Sequence, residues 1–130
     1  MAWPRRRAIW GEDIQEVKQD YARLARTIAR FEALVMVAHP EDADEARQAV
    51  GPAVQVREIP IDDSWTRDSG PIFVIDESGS LVASLWRFNA WGDKYQPHDQ
   101  ECSARAARCR GARCPRHPIG NGPRRRRGRR

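Results

Sequence analysis

Cysteine is absent from residues 1–101 of this 130-residue chain, and its three cysteines all lie in residues 102–130. An odd number of cysteines at one end gives no disulfide framework, so we expect a protein of the reducing cytoplasm. No run of about 18 apolar residues occurs, which excludes a membrane-spanning helix. No apolar segment follows the basic residues 5–7, so a secretion signal is not indicated.

Acidic and aromatic residues are both absent from residues 102–130, which carry 11 Arg, no Lys and a single large aliphatic residue, Ile119. Residues 1–101 carry 18 acidic residues against 12 basic ones, together with all the aromatic residues of the chain. We therefore predict a folded domain over residues 1–100 and an atypical Arg-rich tail over residues 101–130. The tail cannot bury enough apolar surface to offset its ordering entropy, and we expect it to be disordered.

Periodicity in the first part of the chain predicts α/β structure. Apolar residues at alternating spacings of three and four predict an amphipathic helix over residues 14–31, with a buried stripe of Ile14, Val17, Tyr21, Leu24, Ile28 and Phe31. Further along, the pattern predicts a strand over 34–38, a helix over 40–50, a strand over 54–59 and a hairpin of residues 72–75 and 81–88.

The segment richest in chemistry is Ile61-Asp62-Asp63-Ser64-Trp65-Thr66-Arg67-Asp68-Ser69-Gly70-Pro71, between two predicted strands. A carboxylate can bind a guanidinium through two parallel hydrogen bonds, and an indole face can cover a cation. The segment is equally consistent with a solvated acidic turn that contains an Arg67–Asp68 ion pair and a core tryptophan.

Three separate motifs resemble the agmatine deiminase family. They are Met1-Ala2-Trp3-Pro4, the run Asp62 to Pro71, and Trp86-Arg87-Phe88-Asn89-Ala90-Trp91-Gly92-Asp93-Lys94-Tyr95. The similarity is colinear from residue 1 to about residue 100, and tryptophan-containing motifs in the right order make it specific. We interpret the chain as an N-terminal fragment of such a protein.

The resemblance implies a fold and a reaction. The family has the pentein fold, an α/β propeller of five modules around a central site, of which this chain would supply the first module and part of the second. The family hydrolyses agmatine to N-carbamoylputrescine and ammonia through a covalent cysteine intermediate, in putrescine biosynthesis. A histidine acts as general acid and base. No metal or organic cofactor is implied, and a homo-oligomer is expected for the full-length enzyme.

The resemblance also assigns residues. The family's substrate-binding acid corresponds to Asp68, which would bind two guanidinium nitrogens, and its tryptophan corresponds to Trp65, which would line the substrate channel. Asn89, Trp91 and Lys94 match a nearby motif without an assigned role. Peptidylarginine deiminases carry arginines near this motif to hold a peptide carboxylate. Here Ala90-Trp91-Gly92 stands in that place, so agmatine is preferred over protein arginine.

The tail departs from the family. His117-Pro118-Ile119-Gly120 is similar to it again, but an arginine run stands where Met-Val-Leu-Glu-Gly-Gly should follow. A permitted codon choice for residues 121–128, read one base later, encodes Met-Val-Leu-Glu-Gly-Gly-Ala, so we interpret the run as a frameshift product. The family's catalytic glutamate, histidine and cysteine have no counterparts, and we predict that this chain does not complete the reaction alone.

Two other functions are open from the sequence. Arg124 to Arg130 could bind nucleic acid or another polyanion, although a frameshift product without a selected role is favoured. Cys102, Cys109, Cys114 and His117 could bind zinc, although their spacings differ from those of paired zinc ligands. These cysteines also lie in the wrong place to be the family's nucleophile. His39 and His98 are expected to be structural or exposed.

Overall fold

The computed structural model describes residues 1–101, so the predicted disorder of the tail, its cysteines and its arginine run lie outside the described residues. The described helices and strands follow the predicted order, with short additional turns. They are α1 (Arg7–Trp10), α2 (Ile14–Ile28), β1 (Val35–Ala38), α3 (Ala43–Val50), β2 (Gln55–Glu58), α4 (Thr66–Ser69), β3 (Ile72–Ile75) and β4 (Leu81–Ser84). Short 3-10 turns occur at Gly11–Asp13 and Pro40–Asp42, and Ala90–Asp93 forms a further helical turn.

Strands β1 and β2 form a parallel pair connected through α3, in register from Val35 opposite Gln55 to Ala38 opposite Glu58. The first residues of the chain extend this sheet on the free side of β1. Ala2 forms a parallel bridge with Val37, and the amide of Trp3 donates to the carbonyl of Val37 at 2.8 Å. The sequence did not predict this edge, because it has no alternating side-chain pattern.

The two faces of this sheet lie in separate apolar clusters. The larger cluster packs α2 and α3 over the sheet and is formed by Trp3, Ala22, Ala25, Met36, Ala38, Ala43, Ala46, Val50 and Val54. The smaller cluster, Ala2, Val37, Ile59 and Ile61, lies on the opposite face. Ile61, the last residue of this cluster, is fully buried. It is also the first residue of the acidic segment, Ile61 to Pro71. The sheet thus anchors the start of that segment.

The predicted buried stripe of α2 is wrong in part. Ile14 is buried as predicted, but Leu24 is 51% exposed and Phe31 is 80% exposed, and Ala22 and Ala25, which lie outside the predicted stripe, are buried. Small side chains let α2 approach the sheet closely, which turns the larger apolar residues to its flanks. The helix also ends at Ile28 rather than at residue 31, because the following amides form tighter turns such as Phe31 to Ile28 at 2.9 Å.

Strands β3 and β4 form an antiparallel hairpin, in register from Ile72 opposite Ser84 to Ile75 opposite Leu81. The prediction carried β4 to residue 88, but it ends at Ser84. The next pair would join Leu85 to Pro71, and proline has no N–H to donate to the ladder. All four residues of β3 are exposed. No helix within residues 1–101 is long and apolar enough to cross a membrane.

Candidate functional site

The acidic segment is fixed from inside by Asp63, whose side chain is fully buried. Its carboxylate accepts hydrogen bonds from the amide of Ser64 at 2.7 Å, from Trp10 Nε1 at 3.0 Å and from the amide of Arg6 at 3.3 Å. Three donors compensate for the cost of removing a carboxylate from water. Asp63 therefore holds the segment against α1 and is not free to bind a ligand.

Glu101 anchors the same segment from the far end of the described chain. It is fully buried, and its Oε1 accepts from the amides of Asp62 and Asp63 at 3.2 Å each, while its Oε2 lies 2.6 Å from Ser69 Oγ. Asp62 is buried in turn and accepts from the amide of Gln100 at 2.9 Å. Asp62 and Asp63, two of the three acids in this segment, are thus structural carboxylates.

Helix α4 is a single turn that begins directly after Trp65. The amide of Ser69 donates to the Trp65 carbonyl at 2.9 Å, and the Ser69 hydroxyl lies 2.7 Å from the same oxygen. At Gly70 the chain leaves the turn so closely that a Cβ atom would lie 2.4 Å from the Thr66 carbonyl oxygen. Only glycine fits there, because that distance is well inside van der Waals contact.

Asp68 differs from the other acids of the segment because its side chain is exposed. Within residues 1–101 its carboxylate has no hydrogen-bond or ion-pair partner, and its amide bonds the Trp65 carbonyl at 3.1 Å. Arg67 is exposed as well and forms no ion pair with Asp68. The solvated Arg67–Asp68 pair, one of the two interpretations of this sequence, is therefore wrong, and an unpaired carboxylate faces solvent.

Trp65 lies in an aromatic cluster that consists of Trp65, Phe88, Trp91 and Tyr95. Its ring centroid is 5.5 Å from that of Phe88, 5.6 Å from that of Trp91 and 6.2 Å from that of Tyr95. Phe88 is buried at the base, whereas Trp91 is 51% exposed and Tyr95 is 40% exposed. Trp65 is the N-cap residue of α4, and Asp68 lies within that single turn. The cluster and Asp68 therefore adjoin the same short helix.

Two cations of the chain already rest against the aromatic cluster. The Arg6 guanidinium carbon lies over the Trp65 ring at 5.8 Å from its centroid, and Lys94 Nζ lies 5.9 Å from the Tyr95 centroid. The Arg6 guanidinium also donates to the carbonyls of Gln96 and Pro97, the latter at 3.0 Å. Aromatic rings attract cations through their quadrupoles. The cluster is therefore a surface suited to positive charge, and the sequence reasoning missed the part that Arg6 plays in it.

Trp91 is held in the cluster by a left-handed turn, Ala90–Asp93. Its φ angles are 47° at Ala90, 55° at Trp91, 84° at Gly92 and 62° at Asp93. Only Gly92 adopts such angles freely, and each other residue costs about 1–3 kcal/mol there. Residues in this region cluster at functional sites. Asn89 precedes the turn, and its carbonyl accepts from the amides of Gly92 at 3.0 Å and Asp93 at 2.7 Å.

The two histidines within residues 1–101, His39 and His98, are structural, as expected. His39 Nδ1 accepts from the amide of Glu41 at 3.3 Å and caps the Pro40–Asp42 turn. His98 is buried, with Nε2 2.8 Å from Asp93 Oδ1. An open concavity borders the acidic segment at Thr66 and Gly70, and Trp65 and Asp68 do not line it. Residues 1–101 therefore present the site as an open surface.

Comparison with known proteins identifies the family of this chain. The model of the Porphyromonas-type peptidyl-arginine deiminase family matches residues 1–120. The chain belongs to this family. Within it, agmatine deiminase of Stutzerimonas stutzeri is 42% identical over 95 residues, which are 72% of this chain and 26% of that protein. The chain thus spans about a quarter of the length of the curated relatives that it matches.

Solved structures of the family have the same fold. Agmatine deiminase of Enterococcus faecalis superposes with a TM-score of 0.80 at 29% identity, over 88% of this chain and 33% of that one. An agmatine deiminase of C. jejuni, solved with substrate bound, superposes with a TM-score of 0.62 at 26% identity, over 73% of this chain and 28% of that one. The prediction of a partial pentein α/β propeller is confirmed.

Proposed function

We propose that Asp68, Trp65 and the rest of the aromatic cluster form the guanidinium-binding side of an agmatine deiminase active site. The observation that carries the proposal is the exposed Asp68 carboxylate, which has no partner within residues 1–101 and lies one helical turn from Trp65. A planar guanidinium matches a carboxylate through two parallel hydrogen bonds, and its apolar stem suits an aromatic wall.

The reaction supported by the family is hydrolysis of the agmatine guanidinium. A cysteine thiolate attacks the guanidinium carbon, one C–N bond breaks and ammonia leaves, and water then displaces the thiolate to give N-carbamoylputrescine. Residues 1–101 contribute a carboxylate and aromatic side chains to this chemistry and no thiol, because cysteine is absent from that part of the chain. Asp68 would orient the guanidinium carbon for attack, and a small misplacement of that carbon costs about a hundredfold in rate.

The proposal is tested by titrating the 130-residue chain with agmatine and following amide and indole resonances by NMR. Asp68→Asn keeps the size of the side chain and removes the charge that pairs with the guanidinium. A hydrogen bond between charged groups contributes about 1.5–3 kcal/mol, so we expect affinity to fall by roughly 10- to 100-fold. Glu77→Gln, an exposed acid in the β3–β4 turn, is the matched control and should leave affinity unchanged.

Equal agmatine affinity for wild type and Asp68→Asn would remove Asp68 from the site. A second candidate function, deimination of protein arginine, is favoured by the description of the matching family. It predicts that benzoyl-arginine, which carries the free carboxylate of a C-terminal arginine, binds at least as tightly as agmatine. We expect agmatine to bind more tightly, because Ala90-Trp91-Gly92 offers no cation to hold a peptide carboxylate.

A further inference from the structure

The left-handed turn is conspicuous because four consecutive residues, only one of which is glycine, share one rare conformation. Ala90, Trp91 and Asp93 each have φ between 47° and 62°. Side chains other than glycine, asparagine and aspartate seldom adopt this region. Such a turn persists only when surrounding contacts hold it, so those contacts identify the residues that determine where Trp91 lies.

Two side chains hold the turn, one at each end. Asn89 Oδ1 accepts from the amide of Gly92 at 3.3 Å, beside the two bonds made by its own carbonyl. At the other end, Asp93 Oδ1 accepts from Gln96 Nε2 at 3.1 Å and lies 2.8 Å from the buried His98 Nε2. His98 in turn packs on Phe88, with ring centroids 6.1 Å apart. The turn is thereby tied to the base of the aromatic cluster.

Held in this way, Trp91 meets the cluster edge-on. Its ring is 5.2 Å from Phe88 at 88° and 5.6 Å from Trp65 at 81°, and half of its surface stays open to solvent. This arrangement adds a second, half-exposed tryptophan to the cluster that contains Trp65. A right-handed turn at the same position would send the Trp91 side chain in a different direction, since the direction of Cβ follows the backbone.

We propose that Asn89 and Asp93 are positioning residues, which hold the left-handed turn so that Trp91 forms part of the wall that binds the cationic substrate. Trp91 contacts the substrate, and Asn89 and Asp93 act only through Trp91. The role in substrate binding rests on the proposed function, whereas the role in placing Trp91 against Trp65 does not. This assigns roles to Asn89 and Trp91, which the sequence left without any.

The experiment uses the 130-residue chain and two independent readouts, nuclear Overhauser contacts between the Trp91 and Trp65 rings and affinity for agmatine. Asn89→Leu removes the acceptor at similar volume, and Asn89→Asp restores an acceptor oxygen. Asp93→Val introduces a β-branched residue at positive φ, and Asp93→Asn keeps both an acceptor and tolerance of that conformation. Glu77→Val, an exposed position outside the left-handed region, controls for the β-branched substitution.

We expect Asn89→Leu and Asp93→Val to lose the ring contacts and to weaken agmatine binding by about two- to fivefold, the value of one exposed cation–π contact. Asn89→Asp and Asp93→Asn should behave as wild type. In a double-mutant cycle, Asn89→Leu should cause no further loss in a Trp91→Ala background, because its effect passes through Trp91.

Additive losses in that cycle, or ring contacts that survive Asn89→Leu, would overturn the positioning role while leaving agmatine binding established. If wild type does not bind agmatine, the proposed function fails, and the ring contacts alone decide whether Asn89 and Asp93 place Trp91. Spectral dispersion identifies any variant that fails to fold, in which case the milder Asn89→Ala replaces Asn89→Leu in the same comparison.

Discussion

At the scale of single residues, the acids of one short segment have opposite environments. Asp62 and Asp63 are buried and bonded to backbone amides, whereas Asp68 is exposed and unpaired within residues 1–101. Their spacing in the sequence shows only that all three are close together. Asp62 and Asp63 are buried because Ile61 packs in the core and Glu101 binds their backbone amides. These are tertiary contacts, which the sequence alone does not show. The family resemblance selected Asp68, and the geometry gives a physical reason for that choice.

Ser69 has a structural role in the acidic segment. The family resemblance assigns no role to the Ser69 side chain. Its hydroxyl, however, is fully buried between Glu101 Oε2 at 2.6 Å and the Trp65 carbonyl at 2.7 Å. We now predict that Ser69→Ala lowers the free energy of unfolding by about 1.5–3 kcal/mol, because a buried carboxylate loses a donor.

Urea denaturation followed by circular dichroism measures this change. Ser84→Ala serves as the matched control, since the Ser84 hydroxyl has no hydrogen-bond partner in the described part of the chain. Its effect should stay within about 0.5 kcal/mol, as for substitutions away from special contacts. Equal stabilities for the two variants would mean that Glu101 does not depend on Ser69.

At the scale of elements, the sequence predicted β1 and β2 to within one residue at each end, because β1 is a short apolar run and β2 lies in a segment that alternates between apolar and polar residues. The ends of α2 and β4 were placed too far along the chain, because periodicity does not register tighter helical turns or the missing N–H of Pro71. The left-handed turn escaped prediction as well. Asn89, Gly92 and Asp93 are residue types that favour it, but the intervening Trp91 reads as part of an aromatic motif.

The aromatic cluster was predictable only in part for a related reason. Trp65 and Trp91 stood out because tryptophan is rare, but their contact joins residues that lie far apart in the sequence. Arg6 lies further away still and reaches Trp65 only because the first residues join the sheet. Such long-range contacts leave no local signal in a single sequence.

The β3–β4 hairpin has an electrostatic contribution of its own. The pKa of Asp76 is held below its usual value of 3.8, first by the hydroxyl of Ser78 and then by the amides of Ser80 and Ser78. A carboxyl whose folded pKa is lowered stabilises the fold above its unfolded pKa, and this contribution is lost as pH falls through the folded pKa. Asp76→Asn should therefore lower Tm at neutral pH, and the difference from wild type should disappear in strong acid.

Thermal unfolding of both proteins from about pH 7 to about pH 2 provides the measurement, because that interval spans the usual carboxyl range. Glu77→Gln, the exposed neighbouring acid, should show no comparable pH-dependent difference. A Tm difference for Asp76→Asn that persists unchanged at the acid end would show that the amide substitution, and not the charge, alters the turn.

At the scale of the whole molecule, the chain spans about a quarter of the length of its curated relatives. On the proposed function, its described part would form one side of a substrate site. We predict that the purified 130-residue chain releases no ammonia from agmatine above background, because binding groups alone do not supply a nucleophile or a general acid. An enzyme-coupled ammonia assay, with E. faecalis agmatine deiminase as positive control, measures this. Turnover that is abolished by replacing Cys102, Cys109 or Cys114 would place the nucleophile in this chain after all.

The contacts of residues 3–6 can form only in a fixed order during synthesis, because their partners lie later in the chain. The amide of Trp3 bonds Val37, the amide of Arg6 bonds Asp63, and the Arg6 guanidinium bonds Pro97. Residues 3–6 therefore reach these partners in three stages, each set by the emergence of a later segment from the ribosome. Until residue 97 is outside the exit tunnel, Arg6 cannot make its last contacts. Residues 3–6 are thus translated before all three of these partners and reach their native environment late.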